Sequence, residues 1–194
     1  MTNGNALGLW ALILIAGVGV GVGYVLRGSS VIAPTGRHMM PSGQMMSQNI
    51  DQHFIAQMIP HHEGAIAMAK VALERSKRPE MLSLAGDIIE AQQKEIDDMR
   101  VWYQEWYGSA PLVGGMGMHM GGMEGDIDAL ASVSDSDFDR EFILEMIPHH
   151  EMAIMMAGML RASTERAEMK QLADNITASQ SSEIDLMRGW LTSW

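Results

Sequence analysis

The chain has 194 residues, room for one domain of ordinary size plus a tail or anchor. It contains no cysteine, which excludes disulfides, zinc–thiolate sites, iron–sulfur clusters and thiol nucleophiles, and its net charge of −11 argues against nucleic acid or an anionic lipid surface as the main partner. Its 20 methionines, about one residue in ten, exceed what a core needs as gap filler.

The first element in the chain is apolar. Residues 6–26 carry no formal charge, and a run of that length matches the ~20 residues that cross a bilayer as a helix. Its glycines are tolerated in membrane helices. The alternative is a cleaved signal peptide, with Val31, Ile32 and Ala33 resembling a cleavage site. The lack of Lys or Arg before the run, its length and Pro34 all favour retention. Residues 1–28 are therefore expected to form an N-terminal hydrophobic helix, a membrane anchor or signal segment. The bundle would then lie in the periplasm, anchored, or be secreted there if the segment is cleaved. Residues 29–48 follow as a Met/His-rich linker containing His38, Met39, Met40, Met45 and Met46.

The remainder is one unit written twice. At an offset of 88, residues 51–106 align without a gap with 139–194, and 27 of the 56 positions are identical. The strongest match is QMIPHHEGAIAMA against EMIPHHEMAIMMA, followed by EIDDMRVWYQEW against EIDLMRGWLTSW. Each copy reads as a helical hairpin. Phe54, Met58, Ala65, Met68 and Ala72 form one helical row, with Ile55, Ile59, Ile66 and Leu73 beside it. Lys77, Arg78, Pro79 and Glu80 break the pattern and open a second helix, whose inward positions include Met81, Ala85, Ile88, Ile89, Ile96, Met99, Tyr103 and Trp106. The glycine-rich segment 108–134 between the copies is expected to be a Met-rich loop carrying Met116, Met118, His119, Met120 and Met123. Ser134 to Asp137 resemble a capping box opening the second copy, and Ser163, Thr164 and Glu165 mark its internal break. No stretch alternates like a strand. The expected fold is all-α: a four-helix bundle over 49–194 built from two repeated hairpins, with approximate two-fold symmetry.

Several polar residues fall where such a bundle wants apolar ones. Pro60 and Pro148 sit inside helices, where a proline costs about 3 kcal/mol and kinks the chain. His62 and His150 lie on the inward isoleucine row. A hydrogen bond from each to the inward Glu95 or Glu183 would make a structural polar layer, and a ligand role is the alternative. His61 and His149 are placed at the edge of the apolar face, one turn from Met58 and Met146, and read as ligands. Glu63 and Glu151 point towards the rim. The methionines of the linker and loop have no helical face to serve as core. Thioether sulfur and imidazole are soft to borderline, uncharged donors that suit Cu(I) and Ag(I) and hold hard cations poorly. They also survive an oxidising compartment in which thiolates would become disulfides.

With M-I-P-H-H-E, A-I-x-M-A, L-A, Q-x-x-E-I and a terminal tryptophan in both halves, the chain resembles a domain-of-unknown-function family with a ferritin-like fold. That family includes periplasmic copper-binding proteins. The resemblance covers nearly all of 51–194. It implies a ferritin-like four-helix bundle that binds copper in the cell envelope and supports copper homeostasis and resistance. By motif match it implies Met58, His61, His62, Met68, Met146, His149, His150 and Met156 as the metal-binding residues, and it supplies no enzymatic activity.

The expected function is sequestration or chaperoning of Cu(I), with silver as a mimic. Partners would be metal ions, a copper-transfer protein and the membrane through the N-terminal segment, but no nucleic acid. A ferritin-like oxidoreductase and a metal-free structural bundle are the competing readings. A di-iron centre wants two Glu-x-x-His pairs, and the chain has none: Glu145 precedes His149 by four residues and its counterpart is Gln57. H-H-E is likewise not the H-E-x-x-H of zinc hydrolases.

Overall fold

The computed structural model describes residues 42–112 and 127–194, with side chains over 50–112 and 130–194. The described residues are helical, without a strand: α1 (Ser42–Arg75), α2 (Pro79–Tyr107), the short α3 (Ile127–Ser132), α4 (Phe138–Ser163) and α5 (Ala167–Ser193). The expected N-terminal hydrophobic helix (6–26), the linker residues His38, Met39 and Met40, and the loop ligands Met116, Met118, His119, Met120 and Met123 lie outside the described residues. Among those described, no helix is long and apolar enough to cross a membrane.

The two hairpins form where the sequence divides them. Pro79 occupies the first turn of α2, where its missing N–H would have no partner, and Glu80 follows beside the positive helix end. Behind both breaks a hydroxyl caps the chain: the Arg78 N–H donates to Ser76 Oγ (3.2 Å) and the Arg166 N–H to Thr164 Oγ1 (3.1 Å). α2 ends at Gly108, whose φ of 69° is left-handed and whose N–H reaches the Gln104 carbonyl at 3.0 Å. Pro60 and Pro148 are carried inside continuous helices.

Three expectations are corrected. The linker does not extend to residue 48, because α1 begins at Ser42, so Met45 and Met46 belong to a helix. Past Pro41 the segment SGQMMSQN sets the good helix formers Gln44, Met45, Met46 and Gln48 against a single glycine, and the helix propagates back through it. The loop 108–134 is interrupted by α3, whose Leu130 is fully buried. Arg75 pins this piece by donating to the carbonyls of Leu130 (2.7 Å) and Val133 (2.6 Å) and to Asp135 (2.7 Å). Finally, Ser134 and Asp137 do not form a capping box: Ser134 Oγ donates to the Asp137 carboxylate at 2.6 Å, and the Asp137 side chain makes no cap hydrogen bond to α4.

The core falls into two clusters. One joins the N-terminal half of α1 (Phe54, Ile55, Met58, Ile59) to the C-terminal halves of α2 and α4 and the start of α5 (Met169, Leu172). The other joins the C-terminal half of α1 (Met68, Ala69, Ala72) to the start of α2, to α3, to Phe138, Phe142 and Met146 of α4, and to Met187 of α5. Opposite halves of α1 and α4 share a cluster, so the two helices run antiparallel at the centre, each with its own hairpin partner on its flank.

Crossed clamps close the ends. Arg166 of the second hairpin lies 3.9 Å over the Trp106 ring of the first and places Nε 3.2 Å from Asp51. Its twin Arg78 lies 4.2 Å over Trp194, with Nε 3.4 Å from Asp139. Asp51 is 1% exposed; burial raises its carboxyl above the ordinary range, against the opposing pull of Thr164 and Arg166.

Candidate metal centre

Between the two apolar clusters lies a polar layer drawn from all four long helices. α1 contributes His61 and His62, α4 contributes His149 and His150, and α2 and α5 contribute Gln92 with Glu95 and Gln180 with Glu183. The pairing expected of the inward histidines is present in both halves. His62 Nε2 lies 2.7 Å from Glu95 Oε2, and His150 Nε2 lies 2.5 Å from Glu183 Oε2. Both rings are fully buried and their carboxylates nearly so, at 15% and 17% exposed, so each pair joins the two helices of its hairpin in a low-dielectric setting. The Nδ1 atoms of His62 and His150 have no hydrogen-bond partner.

His61 and His149 are not at the edge, where the sequence put them. His61 is fully buried, His149 is 4% exposed, and their ring centroids are 3.7 Å apart with the planes tilted by 42°. The helical-wheel placement assumed one buried face per helix. α1 and α4 each face two neighbours, which widens the buried arc until the presumed edge becomes the contact between the hairpins. Because the residues are equivalent at the offset of 88, the place where they meet is the pseudo-two-fold axis.

Electrostatics keep His61 neutral. Burial first, then the neighbouring His149, His62 and His150, hold the His61 imidazole at a pKa of about 2, with a backbone group of His149 pulling slightly the other way. Neither ring nitrogen of His61 makes a hydrogen bond, and the amides of Gln92 and Gln180, also buried, make none either. Buried polar atoms are ordinarily satisfied, so the unmatched atoms of His61, Gln92 and Gln180 stand out in this layer. Met58 and Met146 are fully buried one helical turn before His61 and His149; Met68 is fully buried and Met156 nearly so. The groups gathered at this layer are therefore imidazole and thioether. Glu95 and Glu183 are engaged by histidine, while Glu63 and Glu151, on the rim as expected, pair with Arg100 (2.7 Å) and Arg188 (2.6 Å). No group of three or more His, Asp or Glu among the described residues is arranged to hold a metal, so a hard or carboxylate-bound ion lacks its ligands, while a soft one has sulfur to add.

The family model for a domain of unknown function, DUF305, matches residues 51–191, the doubled unit with its polar layer. The chain belongs to the DUF305 family. It is similar to CopM in its Cu(II)-bound form at 50% identity, over 74% of this chain and 97% of that one, with a TM-score of 0.69. CopM in its silver-soaked form aligns at 46% identity over 74% and 96% of the two chains, with a TM-score of 0.66. A DUF305 fragment from Deinococcus radiodurans is 27% identical over 75% and 97%, with a TM-score of 0.63. An uncharacterised protein, L153, of Acanthamoeba polyphaga mimivirus is 47% identical over 49 residues, which are 25% of this chain and only 32% of that protein. The chain thus matches about a third of the length of that curated relative.

Sequence reasoning did not find the Arg78 and Arg166 clamps or the contact between His61 and His149. The second carried a usable signal: two copies of one buried motif meet themselves only on a symmetry axis, and the motif was visibly duplicated.

Proposed function

We propose that the protein binds Cu(I) in the cell envelope, with Ag(I) as a mimic, and sequesters it or passes it on to a copper-transfer protein. The observation that carries this reading is the His61–His149 pair: two buried imidazoles with ring centroids 3.7 Å apart at the junction of the hairpins, His61 kept neutral by burial, with buried thioethers one turn away. A neutral imidazole offers its lone pair without first losing a proton, and a soft monovalent ion brings little charge into a dry site. His61, His149, Met58 and Met146 would form the tight site. His62 and His150 would hold the frame and lend Nδ1, and Met68 and Met156 would supply further sulfur. His38, Met39, Met40, Met45 and Met46, with Met116, Met118, His119, Met120 and Met123, would gather the ion at the surface. The similarity to copper- and silver-bound CopM supports this reading. Residues 6–26 would hold the bundle at the membrane on the periplasmic side.

Neither competing reading has a comparable observation. A ferritin-like oxidoreductase needs free inward carboxylates, and Glu95 and Glu183 are engaged by histidine. A metal-free bundle leaves the unmatched atoms of His61, Gln92 and Gln180 without a purpose. The test is competition dialysis against Cu(I), Fe(II) and Mn(II) followed by elemental analysis. Retention of copper alone is expected; equal or greater retention of iron or manganese would overturn the proposal.

A further inference from the structure

The two halves are not equal on their outer faces. On α4, Met155 is 58% exposed and Met159 is 54% exposed, with Met152 half-buried a turn before them. At the corresponding positions of α1 stand Gly64, Ala67 and Val71, which carry no donor. Isolated exposed methionines need no explanation, but these three are spaced i, i+3 and i+7. At 100° per residue they fall within an arc of about 60° on one side of the helix. Neighbours three and four apart have Cβ atoms about 5–6 Å from one another, so Met155 sits within side-chain reach of both Met152 and Met159. Met152 and the buried Met156 stand three and seven residues after His149, which meets His61 of α1, so the near edge of the arc is on the α1 side of α4. It therefore borders α1.

The antiparallel register supplies a fourth donor. With His61 against His149, each step back along α1 matches one step forward along α4, which brings the 51–55 turn of α1 level with Met155 and Met159. His53 is the exposed residue of that turn. The equivalent of His53 in the second half is Glu141, so none of these four donors is repeated in the other half of the bundle.

We propose that Met152, Met155 and Met159 of α4, with His53 of α1, form a surface site for one monovalent soft cation, Cu(I) or Ag(I), separate from the buried histidine layer. It shares its cargo with the function proposed above but none of its residues. Three thioethers and one imidazole are uncharged donors that bind a soft ion; Mg(II) and Ca(II) take oxygen ligands, and Zn(II) takes imidazole, thiolate or carboxylate rather than thioether. Because the side chains are solvated and flexible, binding orders them, and the site should be weaker and faster to exchange than the buried one, as suits a place of entry or hand-over.

The test uses the full chain labelled at the methionine methyl carbons and titrated with Ag(I). In wild type, the methyl resonances of Met152, Met155 and Met159 should move together and saturate at one equivalent. The triple variant Met152→Leu, Met155→Leu, Met159→Leu should bind one Ag(I) fewer per chain with unchanged helical dichroism, while the Met58 and Met146 resonances still respond. His53→Ala should weaken this site about tenfold, a free-energy change of ~1.4 kcal/mol, and leave the others alone. A triple variant with wild-type stoichiometry would overturn the site, and unchanged affinity in His53→Ala would remove the imidazole from it. Response at the surface methionines without response at Met58 and Met146 would instead sink the buried-site reading and leave this one standing.

Discussion

His61 and His62 are adjacent, both fully buried, and one substitution should affect them in opposite ways. Leucine has nearly the imidazole's volume and no polar atom. At His62 it removes the partner of the Glu95 carboxylate, 2.7 Å away and 15% exposed. Breaking a buried pair in this way costs about 3–5 kcal/mol, and the residual exposure of Glu95 places the expected loss near the lower figure. At His61 leucine removes two nitrogens that make no hydrogen bond. The relief of that desolvation, roughly 1–3 kcal/mol, opposes the loss of a ring contact worth about 0.5–1.5 kcal/mol and some repacking, so the net change should stay within about 1 kcal/mol of zero. On a helical bundle of this size, His62→Leu should lower the melting temperature by roughly 6–12 °C and His61→Leu should leave it nearly unchanged. Copper should sort the variants the other way: His61→Leu loses the tightest Cu(I), and His62→Leu retains it, weakened only by the loss of one Nδ1, at temperatures where it is folded. Thermal melts of the metal-free proteins with a competitive Cu(I) titration decide the matter. A His61→Leu protein as unstable as His62→Leu would show that the His61 ring serves the fold, and its reading as an open ligand would fail.

The metal-free protein should weaken in mild acid. His61 sits at a pKa of about 2 in the fold against an ordinary 6.5, so below pH 6.5 the unfolded chain takes up a proton that the folded one refuses. This contribution is fully present above pH 6.5 and is lost as pH falls towards 2, about 1.4 kcal/mol of it by pH 5.5, measurable as a shift in urea midpoint between pH 7.5 and 5.5. Arg166→Ala should destabilise more than its twin Arg78→Ala, because Asp51 is 1% exposed and Asp139 is 20% exposed; equal losses in denaturant titrations would show that the tryptophan contacts dominate both clamps. Gly108→Ala should cost about 1–2 kcal/mol from the positive φ alone, since nothing lies within 4 Å of the added methyl; a neutral result would mean that the helix end relaxes.

Much of the fold was legible because its signals are local or repeated. The breaks at Pro79 and at Ser163 and Thr164 are written in residues that end or begin helices wherever they occur. The His62–Glu95 pair could be read because an inward imidazole and an inward carboxylate on facing helices have few alternatives. What escaped depends on helices remote in sequence. The burial of His61 and His149 follows from α1 packing on α4, which no window of either helix reveals. Arg78 and Arg166, ordinary basic residues at a helix break, become clamps only when the second hairpin brings a tryptophan and an aspartate from the first within reach. The short α3 was missed because its glycine-rich surroundings outweighed six helix-forming residues whose stability comes from burying Leu130 and from Arg75 holding the carbonyls of Leu130 and Val133.

The duplication explains why these polar residues divide by role. In a chain with a two-fold axis, a residue off the axis appears twice at separate places, and each copy must find its own partner. His62 with Glu95 and His150 with Glu183 are of that kind: two independent joints, one inside each hairpin. A residue on the axis meets its own copy, so one motif supplies two donors to one place, and His61 with His149 is that case. A like pair on an axis repels when charged, which is why burial that keeps the His61 imidazole neutral makes the contact tolerable, and a shared cation would convert it into an attraction. Positions far from the axis are released from that constraint. Gly64 and Met152, or Ala67 and Met155, differ without disturbing the layer between the hairpins, so one half can carry soft donors on its outer face while the centre keeps its symmetry.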